Sequence, residues 1–285
     1  MPFKYTSIDQ LIDQVGSLPP VPIVAQKALH IIQNPKSDMK ELANVIKMDQ
    51  AMTSLILRWV NSGYYSLRNR LISIEQAVSY LGMQTVQNLV LSASVSGFMN
   101  RPVPGYLLEK GDLWKRSIGM AAGAQMLVKE RSPDLAQDAY YAGLFCDIGK
   151  LAFDALLKFN PIDAEVYSNV PFDKVETHLF GFDHASVGGG IVRRWKFPDH
   201  LADAITHHHN PSLASENAKV LSYAIHASDA VLMTFGIGLG RDSMQYTLDP
   251  KTFEVLRWKE ANFDSFLNRV VPLISEAEAF LKTGT

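Results

Sequence analysis

The spacing of apolar residues constrains the fold of this chain more than any other feature. Leu42, Val45 and Ile46 recur at intervals of three and four, as on one face of an α-helix. Asp38 precedes this run and Glu41 follows Asp38 by three residues, a capping-box pattern that begins a helix. Runs that alternate apolar and polar residues are few and short, so we predict an all-α protein.

The second half of the chain shows long helical patterns bounded by caps and breakers. Asp183 is placed to cap a helix that begins at His184 and ends before Pro198. The run Gly188-Gly189-Gly190 inside that helix indicates close helix packing or a kink rather than a phosphate-binding loop. The predicted helices of this half cover residues 112–129, 134–157, 184–197, 199–209, 217–235 and 263–281.

The strongest turn signal is the run Arg101-Pro102-Val103-Pro104-Gly105, which is the best candidate for a boundary between lobes. A chain of 285 residues is long enough to form one large domain or two lobes. We predict an N-terminal helical bundle over residues 5–104 and a second helical lobe over residues 105–285. The candidate catalytic and metal-binding residues all lie in the second lobe.

Charge and cysteine content exclude several classes of partner. The formal net charge is −2, so no bulk charge favours nucleic acid or an anionic membrane. Cys146 is the single cysteine, which excludes an intramolecular disulfide and fits a reducing compartment. No signal-peptide pattern is evident, and no apolar run approaches the ~20 residues that span a bilayer. We expect a cytoplasmic protein without nucleic-acid or membrane partners.

Histidines are concentrated late in the chain, where seven of the eight follow residue 170. On the predicted helix over residues 199–209, Leu201, Ile205 and His208 fall within about 60° of one another around the helix axis. His208 is therefore predicted to point to the buried side, with His209 at its edge. A buried imidazole needs partners for its ring nitrogens.

Two acids, Asp147 and Asp229, stand in otherwise apolar helices. Because burying an unpaired carboxylate costs several kcal/mol, we expect each to have a partner. Carboxylates and imidazoles that face one cavity either satisfy each other or share a metal ion. The candidate ligands are Asp147, His184, His208, His209 and Asp229.

Simpler interpretations stay open for the same residues. Asp147 can bond to the backbone near a helix end, and Asp229 can pair with Arg116. A single histidine on an apolar face is commonly a satisfied core residue. The histidines interpreted as surface or core residues are His200, His207 and His226.

The run Cys146-Asp147-Ile148-Gly149-Lys150 resembles the His-Asp-Ile-Gly-Lys signature of HD-superfamily metal-dependent phosphohydrolases. The whole chain resembles the HDOD family, the HD-related output domain. The first lobe carries that pattern in Leu18-Pro19-Pro20-Val21-Pro22, Asn34-Pro35, Leu42-Ala43, Asn61-Ser62 and Leu81-Gly82. The second lobe carries it in Leu113-Trp114, Ala142-Gly143-Leu144, Gly181-Phe182-Asp183-His184, Trp195, Pro198, and Ala204-Ile205 before His208-His209.

The resemblance implies an α-helical fold with an HD-like second lobe and a bacterial signalling role with little confirmed catalysis. It assigns the metal ligands to Asp147, His184, His208, His209 and Asp229. It also places two ligand histidines of HD enzymes at Arg116 and Cys146, where this chain has none. The first metal would thus lose two of its four ligands, while those of the second survive. The implied cofactor is none, or one divalent ion of iron, manganese or zinc.

Arg116 and its neighbours change the electrostatics expected of such a site. A guanidinium beside Asp147 and Asp229 would neutralise them and repel a divalent ion, unless it points to solvent. Cys146 is expected to be a buried neutral thiol, the alternative being a thiolate ligand. Lys150 is a candidate phosphate contact, the alternative being an exposed lysine.

Three functions are compatible with these residues. The first is a non-catalytic signalling module that binds partner proteins supplied in trans, or a small ligand in the degenerate site. The second is a phosphodiesterase-like metal-dependent phosphohydrolase with one metal at Asp147, His184 and His208. The third is a nucleotide sensor in which Arg116 and Lys150 contact phosphate. The sequence names neither the partner, the ligand nor the oligomeric state.

Overall fold

The computed structural model describes residues 5–16, 31, 38–62, 65, 67–159, 170–241, 247–259 and 262–282. Within these residues the regular elements are helices, and the pairing of Val103 with Leu108 is an isolated bridge. The predicted all-α class is confirmed. The predicted turns at 18–22 and 34–35 lie outside the described residues. In the part of the chain that is described, no helix has the length and apolar character to cross a membrane.

The α-helices follow one another along the whole described chain. In order they are α1 (Ile8–Val15), α2 (Met39–Lys47), α3 (Gln50–Val60), α4 (Ile74–Leu81), α5 (Met83–Met99), α6 (Asp112–Lys129), α7 (Ala136–Phe145), α8 (Gly149–Phe159), α9 (Phe172–Phe180), α10 (His184–Arg194), α11 (Asp199–Thr206), α12 (Lys219–Thr234), α13 (Lys251–Leu256) and α14 (Phe263–Lys282). Two predicted caps are confirmed. Asp38 Oδ1 accepts the N–H of Glu41 at 2.8 Å, and Asp183 Oδ1 accepts the N–H of Ser186 at 2.7 Å.

The chain forms two compact units. The bundle unit comprises Pro19–Asn100 and Val271–Thr285, and the site unit comprises Met1–Leu18 and Arg101–Val270. In the bundle unit, α2 packs on α4 and α3 packs on α5. In the site unit, α6 packs along α7 and α12, while α10 packs on α8 and α11. All candidate site residues lie in the site unit, and the lobe limits of 5–104 and 105–285 stay a prediction.

The helix predicted over residues 134–157 is wrong, because the chain turns at residues 146–148 between α7 and α8. The N–H of Ile148 donates to the Phe145 carbonyl at 3.0 Å, and the N–H of Lys150 donates to the Asp147 carbonyl at 3.0 Å. These bonds span three residues rather than four, so the backbone winds more tightly than an α-helix. The turn places Asp147 between the two helices.

Glycines allow the helices around this turn to approach one another. A Cβ on Gly149 would overlap the backbone carbonyl of His184, where α10 begins. A Cβ on Gly189 would overlap the side chain of Thr206 at the end of α11. The close packing predicted for the glycine run in α10 is therefore confirmed, and it brings His184 beside the turn that carries Asp147.

We expect Gly149→Ala to lower the free energy of unfolding by about 1–3 kcal/mol, because the added methyl group forces a backbone shift. Gly97, on the exposed side of α5, meets nothing within 4 Å and provides the matched control. Gly97→Ala should be neutral or stabilising by up to ~1 kcal/mol, since alanine favours a helix. Urea denaturation followed by circular dichroism measures both, and equal effects would contradict the packing.

Candidate functional site

The structure brings the candidate residues together in the core of the site unit. Five elements contribute: α6, the turn between α7 and α8, the first residue of α10, the segment after α11, and α12. The side chains that meet there are Arg116, Asp147, His184, His208, His209 and Asp229. Their roles in holding a metal stay a prediction, and their geometry decides which roles are chemically reasonable.

The Arg116 guanidinium bridges the two acids. Its Nε–H donates to Asp147 Oδ2 at 2.7 Å, and its Nη2–H donates to Asp229 Oδ1. A further N–H, on Nη1, points to the Gly238 carbonyl at 3.4 Å. The side chain is 1% exposed, so the alternative in which Arg116 points to solvent is wrong.

Lys150 adds a second cation to the same cluster. Its Nζ lies 2.9 Å from Asp147 Oδ1 and its side chain is 0% exposed, so the exposed-lysine alternative is also wrong. The ammonium group also lies 5.6 Å from the centre of the Tyr106 ring. Lys150 was a candidate phosphate contact, but in the structure its charge faces a carboxylate.

The charges of this cluster balance without a metal ion. Two carboxylates, Asp147 and Asp229, contribute −2, and the two cations Arg116 and Lys150 contribute +2. Burial opposes ionisation of Asp147, but the charges of Lys150 and Arg116 hold the pKa of its carboxyl well below the usual value. Both acids therefore have the partners that buried carboxylates require.

Cys146 is a buried thiol at the position where the family resemblance implies a ligand histidine. Its Sγ–H donates to the Gly143 carbonyl, with the two atoms 3.1 Å apart. Burial, together with the negative charges of Asp147 and Asp229, raises its pKa well above the usual value. The expected neutral thiol is thus supported, and a thiolate ligand is not.

The three histidines form a compact cluster on the other side of Asp147. His208 Nδ1 lies 2.8 Å from the Ile205 carbonyl. Because a carbonyl only accepts, Nδ1 carries the hydrogen and the buried Nε2, which has no partner among the described residues, keeps its lone pair. His184 Nε2 lies 2.9 Å from His209 Nε2 and 3.5 Å from Asp147 Oδ1. One ring nitrogen from each histidine lies within 4.8 Å of the others.

Glu176 orients His184 and was missed by the sequence analysis. Its Oε2 accepts the backbone N–H of His184 at 2.7 Å and lies 2.8 Å from His184 Nδ1, while Tyr106 donates to Oε1. Burial opposes protonation of His184, but the Glu176 carboxylate raises its pKa to about 10. A signal was present: Phe172, Glu176 and Phe180 form an i, i+4, i+8 stripe, so an acid stands on an apolar face.

Other histidines have ordinary structural partners, as predicted. His226 Nδ1 lies 2.9 Å from the His208 carbonyl, and its Nε2 accepts the N–H of Asp249 at 2.9 Å. His200 Nε2 lies 2.8 Å from Asp138. His207 Nδ1 lies 2.9 Å from Asp203 Oδ1. None of the three shares the ring-nitrogen cluster described above.

The two metal positions implied by the family differ in how well this chain fits them. The first does not fit, because Arg116 already bridges Asp147 and Asp229, and Cys146 is protonated. Like charges 4 Å apart repel by ~4 kcal/mol per unit charge at an effective dielectric constant of about 20. The second position keeps three histidines, one of them oriented by Glu176 in the manner of metal-binding histidines. A metal ion bound there would have to displace the proton of His184, whose pKa is about 10.

We expect Arg116→Met to lower the free energy of unfolding by about 3–5 kcal/mol, because it leaves two buried carboxylates without their shared cation. Arg193, which is 46% exposed, provides the control, and Arg193→Met should change stability by less than about 0.5 kcal/mol. Urea denaturation at neutral pH measures both. A loss below about 1 kcal/mol for Arg116→Met would contradict a structural role for the bridge.

The chain matches the family model of the HDOD domain over residues 18–211. A curated, uncharacterized protein of Treponema pallidum (strain Nichols) is 28% identical over 221 residues, covering 75% of this chain and 41% of that protein. The matched region therefore makes up less than half of the length of that relative.

Solved structures share the fold. An HDOD domain protein of unknown function from Geobacter sulfurreducens matches with a TM-score of 0.79 at 20% identity, covering 96% of each chain. A protein from Marinobacter aquaeolei VT8, proposed to act in signal transduction, matches with a TM-score of 0.76 at 24% identity, covering 95% of this chain and 61% of that one. A proposed phosphohydrolase from Shewanella amazonensis SB2B matches with a TM-score of 0.66 at 22% identity, covering 94% and 97%. Because the family model covers more than half of its length, this chain belongs to the HDOD family.

Proposed function

We propose that this chain is a non-catalytic HD-related module of bacterial signal transduction that acts through partner proteins supplied in trans. The observation that carries the proposal is the Arg116 guanidinium between Asp147 and Asp229. A guanidinium neutralises the carboxylates as a cation does, but it offers no open coordination position and cannot activate water as a metal does.

Burial of the cluster supports the same proposal. Arg116, Asp147 and Asp229 are each at most 3% exposed, and Lys150 and His184 are 0% exposed. A hydrolase must bring a substrate phosphate to its charged groups, and these groups face one another instead. Burial also makes a small ligand inside the cluster a weaker alternative than a protein partner on the surface of the unit.

Restoring the missing ligands tests this proposal. We expect the natural protein to hold no divalent ion between Asp147 and Asp229, and the double variant Arg116→His/Cys146→His to bind one more manganese or iron ion per chain. The reason is that the variant removes the competing cation and supplies two imidazoles. Isothermal titration and elemental analysis measure the difference, and the single variant Cys146→His, which keeps Arg116, is the matched control.

If the double variant does not fold, hydrolysis assays on the natural protein still test the proposed absence of catalysis. We expect no hydrolysis of bis(p-nitrophenyl) phosphate with manganese, iron or zinc. Robust turnover that disappears in Asp147→Ala would overturn the non-catalytic function.

A second candidate function is hydrolysis with a single metal, and the histidine cluster favours it. His184, His208 and His209 would hold the ion, since the buried Nε2 of His208 is an acceptor without a described partner. A divalent ion bound there would polarise a phosphoryl oxygen. Asp147 is a poorer ligand than the family pattern implies, because both of its oxygens face cations.

Zinc and manganese titrations test the second candidate. We expect His208→Ala to weaken any zinc binding by at least about tenfold, because one of three donors is lost. His207→Ala is the control, since His207 pairs with Asp203 outside the cluster. Absence of bound metal together with absence of turnover would reject this candidate.

A further inference from the structure

A cavity of about 280 Å³ lies in the site unit and shares no residue with the buried charge cluster. Its apolar floor contains Leu127, Leu256 and Phe266, all of which are buried. Trp258 forms part of the wall and is held by ring contacts, with its centroid 4.3 Å from that of Phe263 and 5.9 Å from that of Phe266. One side of the cavity is therefore aromatic.

Three arginines stand at the rim of this cavity: Arg131 after α6, Arg257 after α13 and Arg269 on α14. All three are exposed, and none forms an ion pair with any residue that the structure describes. Glu130 is the one acidic residue among the described lining residues. The three guanidinium groups outnumber the one carboxylate, so the lining of the cavity carries a net positive charge that an anionic partner would complement.

Arg257 occupies a backbone conformation that usually belongs to glycine. It follows the last residue of α13 with φ 51° and ψ 34°, in the left-handed region. A side chain there costs about 1–2 kcal/mol relative to a right-handed residue. Strain of this kind, at a residue that also lines a cavity, is characteristic of functional positions.

We propose that this cavity docks an acidic segment of a partner protein. An apolar side chain of that segment rests on the floor, and its carboxylates pair with the rim arginines. A buried apolar centre with a charged, exposed rim is the arrangement of protein interfaces, in which arginine and tryptophan are enriched. A site for a small anion would instead place its charges at the floor. The docking site uses none of the residues on which the proposed function depends.

Selection of a phage-displayed random peptide library on the full chain tests the proposal. We expect selected peptides to carry several acidic residues around one apolar residue. In fluorescence anisotropy with a labelled selected peptide, Arg257→Gly should weaken binding by at least about tenfold, because a charge-assisted contact is lost. The same variant should keep or raise the melting temperature, because glycine relieves the backbone strain. A purely structural role for Arg257 would not separate these two readouts.

Lys196→Gly is the matched control, because Lys196 is also an exposed cation at a left-handed position, with φ 63°, and does not line the cavity. It should leave peptide affinity unchanged. Peptides without acidic residues, or binding insensitive to both Arg257→Gly and Arg269→Gln, would overturn the proposal. So would Arg257-dependent binding of inorganic phosphate or ATP without peptide binding, which indicates a small anion. A change of particle mass in light scattering with Arg257→Gly would also overturn it, since the occupant is then a second copy.

Discussion

The ion pairs of Arg116 with Asp147 and Asp229 are the interaction on which the centre of the site unit depends. Two acids in apolar surroundings cannot remain ionised without nearby positive charge, and a single guanidinium has enough donors to reach both. α6, the turn after α7, and α12 are therefore tied together at one point. In a metal enzyme with this architecture, metal ions would balance these acids, and here the balance comes from the chain itself.

Packing around the turn gives this interaction its geometry. Gly149 has no side chain to block the backbone of His184, so α10 begins directly against the turn. His184 Nε2 therefore lies 3.5 Å from Asp147 Oδ1. Glu176 then fixes the ring of His184 through Nδ1, which leaves Nε2 directed at the other histidines. The two metal positions implied by the family resemblance are consequently changed to different degrees. One half contains two side-chain cations, while the other half keeps three imidazoles.

Much of this arrangement is readable from the sequence because it is local. Helix caps such as Asp183 and the apolar spacing of α2 act within a few residues, and they predict these helices from the sequence. His208 is buried, as its spacing from Leu201 and Ile205 predicts, although α11 ends at Thr206 and not at residue 209 as predicted. The tighter winding at residues 146–148 is different, since it lies beside a contact between Gly149 and α10, which are distant in sequence and show no local pattern of that contact. Lys150 was uncertain for a similar reason: its burial depends on the carboxylate that it faces.

The partner of Glu176 could not be predicted from the sequence around it. An acid on an apolar stripe indicates burial, but its partner, His184, lies on a different helix and is recognised only in three dimensions. Diffraction from crystals soaked in manganese, with anomalous signal, tests the central claim most directly. The account predicts no anomalous peak between Asp147 and Asp229, with Arg116 bridging both. A peak at that position, with the Arg116 side chain displaced, would contradict it.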